Sequence, residues 1–212
     1  RRCCHHPGRI PGVTELVGRT ERLVISRMSL EDAEGLHDAL AGPEVGRYLG
    51  GPDVGDLDDV RRRIAHVLSG PDDPRQTWVN LTVREADGPV IGRLEATVNP
   101  GWAEVAWILG APWWGRGYGT EAGVWLSGHL EDILGISELW GTVHPDNAAS
   151  IALMRRLAMK RRYSLNIGAF SPSTPSSASW RVRRATLRDS TENTRKAPVN
   201  SATSASTVRL TR

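Results

Sequence analysis

Three glycines alternate with larger residues near the middle of the chain, and this spacing is typical of an anion-binding loop. Gly115, Gly117 and Gly119 lie between an apolar stretch and an amphipathic one. Glycine is needed where a Cβ would block a phosphate or where φ is positive. The amides of such a loop converge on an anion at the positive end of the following helix, and Arg116 adds a cation. The pattern predicts a phosphate or diphosphate ligand, with a flexible strand-to-helix connector as the alternative.

The residues around these glycines argue against two common phosphate-binding motifs. A P-loop requires GxxxxGK[ST], and no lysine follows the glycines here, so hydrolysis of a nucleoside triphosphate is not expected. A dinucleotide-binding fingerprint requires GxGxxG within a βαβ unit and an acid at the end of the next strand. This chain has GxGxG, and Glu138 begins the next predicted strand instead of ending it.

The glycine loop resembles motif A of the GNAT N-acetyltransferase superfamily, Q/R-x-x-G-x-G/A, over the residues WGRGYG at 114–119. The longer run WWGRGYGTEA resembles the branch that includes ribosomal-protein N-terminal acetyltransferases. Downstream, VHPDNAASIALMRRLAM is similar to the second signature of that branch, an Asn followed three residues later by Ser. Upstream, TERLVISRMSLEDAEGL resembles its first strand and helix. The resemblance covers residues 19–160.

This resemblance implies acetyl-CoA as the donor and an amine as the acceptor. It also implies that the strand before the loop and the strand after it separate to admit the pantetheine arm. Backbone groups from Ile108 to Gly110 would pair with the pantetheine amides, those from Gly115 to Thr120 would hold the diphosphate, and Asn147 would bond near the arm. The implied coenzyme contacts are Ile108, Leu109, Gly110, Trp114, Gly115, Arg116, Gly117, Tyr118, Gly119, Thr120 and Asn147.

Acetyl transfer to an amine requires a base, and Glu104 is the predicted one. On its strand it shares a face with Trp102, Ala106 and Ile108, and a carboxylate among apolar neighbours has a raised pKa. A backbone amide near Ile108 would polarise the thioester carbonyl. The alternative for Glu104 is a carboxylate that faces solvent at a sheet edge.

The acid that protonates the leaving thiolate is less clearly marked. Many members of the superfamily have a Tyr on the last helix, and the matching position here is Met154. The resemblance to the ribosomal branch implies Ser150 as the substitute. The alternative is a first-turn hydroxyl bonded to its own backbone. His144 could point into the cleft from the end of its strand, but a surface position before Pro145 is expected.

The elements that position these residues can be read from the periodicity of the chain. It predicts an α/β fold with a GNAT-like mixed, mainly antiparallel sheet flanked by helices, in the order βααβββαβα. Turn signals at 87–88 and 99–101 join three strands into an antiparallel meander. Apolar helical stripes include Leu68, Ile133 and Leu134. The predicted elements are strands at 22–28, 77–85, 90–99, 102–109 and 139–144, and helices after Ser29, after Asp56, through 122–134 and at 147–159.

Composition divides the chain into three parts. Residues 1–13 are predicted to be an unstructured N-terminal segment, and residues 14–163 an acetyltransferase domain. Residues 164–212 hold ten Ser and seven Thr, so they are predicted to be a disordered Ser/Thr/Arg-rich tail. No strand pair is predicted there, so the last two strands of the family's sheet are expected to be missing. An alternative function follows from this, a catalytically impaired CoA-binding remnant.

Charge and apolar patterning limit the expected partners. The net charge is +3, but residues 164–212 carry eight basic and two acidic residues. Such a tail could reach nucleic acid, although a solvated tail is the preferred interpretation. No apolar run approaches the roughly 20 residues of a membrane span, and the N-terminus lacks a secretion signal, so a cytoplasmic location is expected. Cys3, Cys4, His5 and His6 lack the spacing of a zinc site, and no metal is predicted.

Overall fold

In a computed structural model of the chain, residues 16–49, 53–136, 138–157, 159–162 and 178–183 are described. Helices pack on both faces of one mixed sheet. Its strands are β1 (Leu16–Arg19), β2 (Leu23–Arg27), β3 (Thr77–Glu85), β4 (Val90–Asn99), β5 (Trp102–Leu109), β6 (Glu138–Val143), β7 (Lys160–Arg162) and β8 (Ala178–Arg183). The helices are α1 (Ala33–Leu40), α2 (Pro43–Gly46), α3 (Leu57–Ser69), α4 (Tyr118–Leu134) and α5 (Ala148–Arg156).

The sheet has the strand order β1-β2-β3-β4-β5-β6-β8-β7. All neighbours are antiparallel except β5 and β6, which are parallel. The predicted meander is confirmed, and β3, β4 and β5 have the predicted bounds. Strand β3 alternates apolar and polar residues along 79–84, whereas 105–109 of β5 is apolar throughout, because helices cover both faces of the sheet there.

The helices begin where the sequence supplies a cap. Asp56 Oδ1 accepts a hydrogen bond from the Asp59 amide at 2.8 Å, and Asp59 Oδ2 accepts one from the Asp56 amide at 3.2 Å, which starts α3. The Ser29 amide donates to Asp32 Oδ2 at 2.8 Å and begins a 3₁₀ turn that leads into α1. The caps predicted at Ser29 and Asp56 are therefore confirmed.

Two apolar cores lie on opposite faces of the sheet. One lies under α4 and α5 and includes Leu94, Leu126 and Leu130, and the other lies under α1 and α3 and includes Leu36, Leu40 and Ile64. Three residues assigned to the helical stripes lie outside both cores. They lie in the last turns of α3 and α4, where the helices end in solvent. These residues are Leu68, Ile133 and Leu134, and their exposed fractions are 53%, 67% and 41%.

The expectation that the last two strands are missing is wrong. Strand β8 pairs antiparallel with the whole of β6, from Glu138 opposite Arg183 to Val143 opposite Ala178, and β7 pairs with the outer side of β8. The sequence Ala178–Arg183 alternates in the manner of a strand, but the Ser/Thr-rich composition of residues 164–212 conceals so short a signal. The pairing removes the observation on which the remnant interpretation depended.

Some expectations concern residues beyond the described ranges. The N-terminal segment, including Cys3 to His6, lies outside them, as does most of the basic tail that suggested nucleic acid. Strand β1 and the four-residue helix α2 were not predicted, because four residues hold too little periodicity to be recognised. Within the described ranges, the length and apolarity needed to cross a bilayer are not found in any helix.

Candidate active site

The two parallel strands, β5 and β6, pair over only two residue positions and then separate. Pairing between β5 and β6 is confined to Ala103 with Leu139 and Glu104 with Trp140. Beyond these positions both strands continue without pairing to each other, and a cavity of about 730 Å³ opens at the gap. The separation implied by the family resemblance is therefore confirmed. The cavity wall draws on six parts of the fold, namely 105–109 of β5, 142–144 at the end of β6, the glycine loop, one face of α5, the segment from Glu44 to Leu49, and Arg22.

The alternation of β5 decides which backbone groups face this slot. The Gly110 amide donates to the Ile91 carbonyl at 2.9 Å, and the Gly110 carbonyl accepts from the Trp113 amide at 3.0 Å. A Cβ on Gly92 would lie 2.1 Å from the Ile108 carbonyl oxygen, so that oxygen is directed at β4. Because bonding alternates along an antiparallel strand, every second residue faces the slot. Those residues are Val105, Trp107 and Leu109.

This geometry changes two of the implied contacts. The backbone groups of Ile108 and Gly110 are directed into the protein, so neither can pair with a ligand in the slot. Trp107, which the sequence analysis did not select, has that orientation instead. Leu109 keeps its amide toward the slot, while its carbonyl accepts from Trp114 Nε1 at 2.7 Å.

The glycine loop leaves a run of amides without backbone partners. The amides of residues 115–119 form no backbone hydrogen bond within the described part of the chain. Gly115 and Gly117 have φ of +71° and +86°, and a Cβ on Gly115 would meet nothing within 4 Å. By contrast, the Trp114 amide donates to Ala111 and the Thr120 amide to Gly117, at 3.1 and 3.0 Å. The amides of 115–119 are therefore available to a ligand, whereas the Thr120 amide is already used within the protein.

Glu121, which was not predicted as a site residue, ties the glycine loop to the turn before β2. Its Oε1 accepts from Thr20 Oγ1 at 2.5 Å and from the Arg22 amide at 3.0 Å, and its Oε2 accepts from Arg22 Nε at 2.7 Å. Arg22 Nη1 also donates to the Arg116 carbonyl at 2.9 Å. Burial opposes ionisation of Glu121, but the hydrogen bonds from Thr20 and Arg22 outweigh it and lower the pKa of this carboxyl.

Tyr118 and Arg116, two of the implied coenzyme contacts, are not part of the cavity wall. Tyr118 is buried and its hydroxyl donates to Glu85, which raises the pKa of Tyr118 and lowers that of Glu85. The guanidinium carbon of Arg116 lies 5.3 Å from the centre of the Tyr118 ring, and that of Arg22 lies 4.5 Å from it. The cavity wall includes Arg22 and, from α5, Arg156. The sequence analysis identified neither as a site residue.

The start of α5 presents two predicted site residues, Asn147 and Ser150, to the cavity. Asn147 Oδ1 accepts from the Ser150 amide at 3.0 Å and caps the helix, which leaves Asn147 Nδ2 as a donor. Ser150 and Met154 lie on the same face of the helix and also line the cavity. Met154, which the family resemblance matches to a tyrosine, thus faces the cavity.

His144 lines the cavity, which differs from the surface position that was expected. Its Nδ1 accepts from the Asp146 amide at 3.2 Å, and its ring lies 5.4 Å from that of Tyr48. Tyr48 follows α2, so the contact joins the two walls of the cavity at one end. The residues Glu44, Val45, Tyr48 and Leu49 form this wall and were missed together with α2.

A buried ion pair holds the chain that follows this wall. Arg93 of β4 binds both carboxylate oxygens of Asp53, and both side chains are 3% exposed. Arg93 Nε also donates to Glu95 Oε1 at 2.7 Å. Burial alone would lower the pKa of Arg93, but the carboxylates of Asp53 and Glu95 raise it instead.

Glu104 lies at the point where β5 and β6 separate. Its side chain is exposed, so it lacks the apolar enclosure that the sequence analysis expected. Glu104 Oε1 accepts a hydrogen bond from Thr142 Oγ1 at 3.0 Å. The cavity wall contains Thr142 but not Glu104.

Comparison with known proteins agrees with this geometry. The acetyltransferase (GNAT) domain family matches residues 22–160 of the chain. A curated relative, named "Uncharacterized N-acetyltransferase p20" from Bacillus licheniformis, is 29% identical over 145 residues, which cover 67% of this chain and 81% of the relative.

Solved structures show the same fold at low identity. A spermidine N-acetyltransferase from Vibrio cholerae, in complex with CoA and spermine, matches with a TM-score of 0.65 and 14% identity, over 80% of this chain and 99% of that one. An aminoglycoside acetyltransferase in complex with coenzyme A matches with a TM-score of 0.63 and 16% identity, over 80% of this chain and 99% of the other.

Proposed function

Because this chain belongs to the acetyltransferase (GNAT) family and is therefore an acetyl-CoA-dependent acyltransferase, we propose that it transfers the acetyl group to a primary amine, either a protein N-terminus or a small-molecule amine. One observation carries the proposal: a slot between β5 and β6 ends at the free amides of residues 115–119. A pantetheine arm has the width of an extended strand, and its diphosphate fits a helix N-terminus.

The residues present suit acetyl-CoA. The open space beside Gly115 leaves room for phosphate oxygens, and Arg22 and Arg156 place positive charge in the same cavity. Trp107 and Val105 would pair with the pantetheine amides, and Asn147 Nδ2 would donate to the arm. The Leu109 amide faces the slot and would polarise the thioester carbonyl. Ser150 would return a proton to the thiolate.

The acceptor is proposed from the strength of the base. Deprotonating an amine with a pKa near 8 costs about 1.4 kcal/mol at pH 7, whereas a lysine near 10.4 costs about 4.6 kcal/mol. Glu104 is a lone, exposed carboxylate that accepts one hydroxyl hydrogen bond, so it is adequate as the base for the first of these amines and insufficient for the second. An α-amine, or a small amine of similarly low pKa, is therefore the acceptor that fits. The resemblance of WWGRGYGTEA to the ribosomal-protein branch supports the same choice.

The test is a thiol-release assay with acetyl-CoA and a panel of amines. The panel contains a peptide that begins with serine, the same peptide with a blocked N-terminus and one internal lysine, spermidine, and kanamycin. With an acceptor that carries a free amine, we expect release of the CoA thiol and formation of an acetylated product. Thiol release should be faster with the serine peptide than with the blocked peptide. Failure of every amine to accelerate thiol release above the acceptor-free rate would contradict the proposal.

A further inference from the structure

Thr142 stands between the cavity and the predicted base. Its hydroxyl donates to Glu104 at 3.0 Å, while Thr142 itself lines the cavity wall. Both residues are exposed, but Glu104 is not part of that wall. An amine inside the cavity therefore meets the hydroxyl before it meets the carboxylate.

We propose that Thr142 is a catalytic residue that relays the proton of the amine to Glu104. This inference rests on the proposed function, because it requires an amine in the cavity. A hydroxyl has one proton to donate and lone pairs that can accept another. It can therefore accept a proton from one neighbour while it donates its own proton to a second neighbour. Glu104 already accepts the hydroxyl proton, which leaves the lone pairs of Thr142 Oγ1 available to the amine.

The step balances as follows. The nitrogen of the neutral amine bonds to the carbonyl carbon of the thioester as the C=O π pair moves to oxygen, and the nitrogen loses a proton to Thr142 Oγ1 while the proton of Thr142 passes to Glu104. The carbonyl re-forms as the carbon–sulphur bond breaks, which gives the amide, and the thiolate takes a proton from Ser150, which regains one from solvent. The exposed Glu104 releases its proton to bulk water, which restores the pair for the next cycle.

The position of Thr142 in the sheet explains why its hydroxyl is available to both groups. The parallel pairing ends at Glu104 with Trp140, and Thr142 is the next residue of β6 on the same face. The side chain therefore lies at the start of the slot, where it can reach back to Glu104. On the other side of Glu104, Thr97 of β4 occupies the paired position. Thr97 is not part of the cavity wall, so it provides a matched control.

The experiment measures kcat and KM with whichever panel amine supports the fastest thiol release, together with acetyl-CoA binding by calorimetry. Thr142→Val keeps the shape but removes the hydroxyl, and we expect kcat to fall about 100-fold, as for the loss of an acid–base group. Thr142→Ser should restore kcat to within about threefold, since it keeps the hydroxyl. Thr97→Val should leave kcat unchanged, and all three variants should bind acetyl-CoA as the parent does.

A double variant distinguishes a proton-relay role of Thr142 from a role in packing alone. If the two groups act in series, Thr142→Val with Glu104→Gln should be no slower than either single variant. Parent-like kcat in Thr142→Val, or no recovery in Thr142→Ser, would overturn the relay while leaving the acetyltransferase assignment intact. Thr142→Ala replaces the valine variant if that one does not fold. If the parent acetylates no amine, the proposed function and the relay both fail, and the acceptor-free control identifies that case.

Discussion

Replacing Gly115 by alanine tests whether the glycine loop holds a diphosphate. The new Cβ costs about 1 kcal/mol of folding free energy because φ is +71°. It touches no protein atom within 4 Å, so nothing else in the described structure should change. In the presence of ligand, however, the methyl group would occupy the space that a phosphate needs beside the amides.

The size of the effect follows from the hydrogen bonds at risk. A hydrogen bond to a charged group contributes about 1.5–3 kcal/mol, and tenfold in Kd corresponds to about 1.4 kcal/mol. Displacing a phosphate from one amide should therefore raise the Kd for acetyl-CoA by roughly 10- to 100-fold. Calorimetric titration measures this directly, and urea unfolding measures the stability change.

Gly135 supplies the matched control. It ends α4 with φ +65° and also has open space where a Cβ would lie. Gly135→Ala should therefore lose about the same stability, roughly 1 kcal/mol, while its affinity for acetyl-CoA stays at the parent value. Equal affinities in the two variants would show that the loop does not approach the diphosphate, and the reasoning about the site would be wrong.

Three further outcomes follow from the contacts around the site. Glu121→Gln should lower the free energy of unfolding by about 2–4 kcal/mol at pH 7, since it leaves Arg22 without its carboxylate. Because the folded pKa of Glu121 lies below its ordinary value of 4.5, this difference is complete above that pH and disappears as pH falls through the folded pKa, which urea unfolding at pH 7 and 3 would reveal. Arg93→Met should cost about 3–5 kcal/mol because Asp53 stays buried and charged, and adding Asp53→Leu should recover part of the loss in thermal unfolding. Tyr118→Phe removes the hydrogen bond that lowers the pKa of Glu85, so the pKa of Glu85 should rise toward 4.5 in an NMR titration.

The sequence predicted the parts of the fold that have a strong local signal. The meander, the caps at Ser29 and Asp56, and the helix after the glycine loop each depend on periodicity or turn chemistry within a few residues. Strand β8 depends instead on a distant partner, since its pairing with β6 is set by the sheet and not by its own composition. Short elements such as β1 and α2 are also stabilised mainly by what they pack against.

The location of the site along the chain could be predicted, but the orientation of its backbone groups could not. The spacing of Gly115, Gly117 and Gly119 located the loop that lines the cavity, yet the sequence did not show which residues of β5 face the slot. That orientation depends on the hydrogen bond from Gly110 to Ile91, and it selects Trp107 over the expected neighbour. Glu121 was similarly hidden, because its partners lie about a hundred residues earlier in the chain.

The gap between β5 and β6 also bears on how long the protein survives. A donor molecule lodged there would bridge the two strands in place of the missing ladder, and bound ligand at 100 times its Kd adds about 2.7 kcal/mol to stability. Local opening of the sheet would then become rarer, and proteases would find fewer accessible chains. The abundance of this protein in a cell would thereby rise and fall with the supply of its acetyl donor.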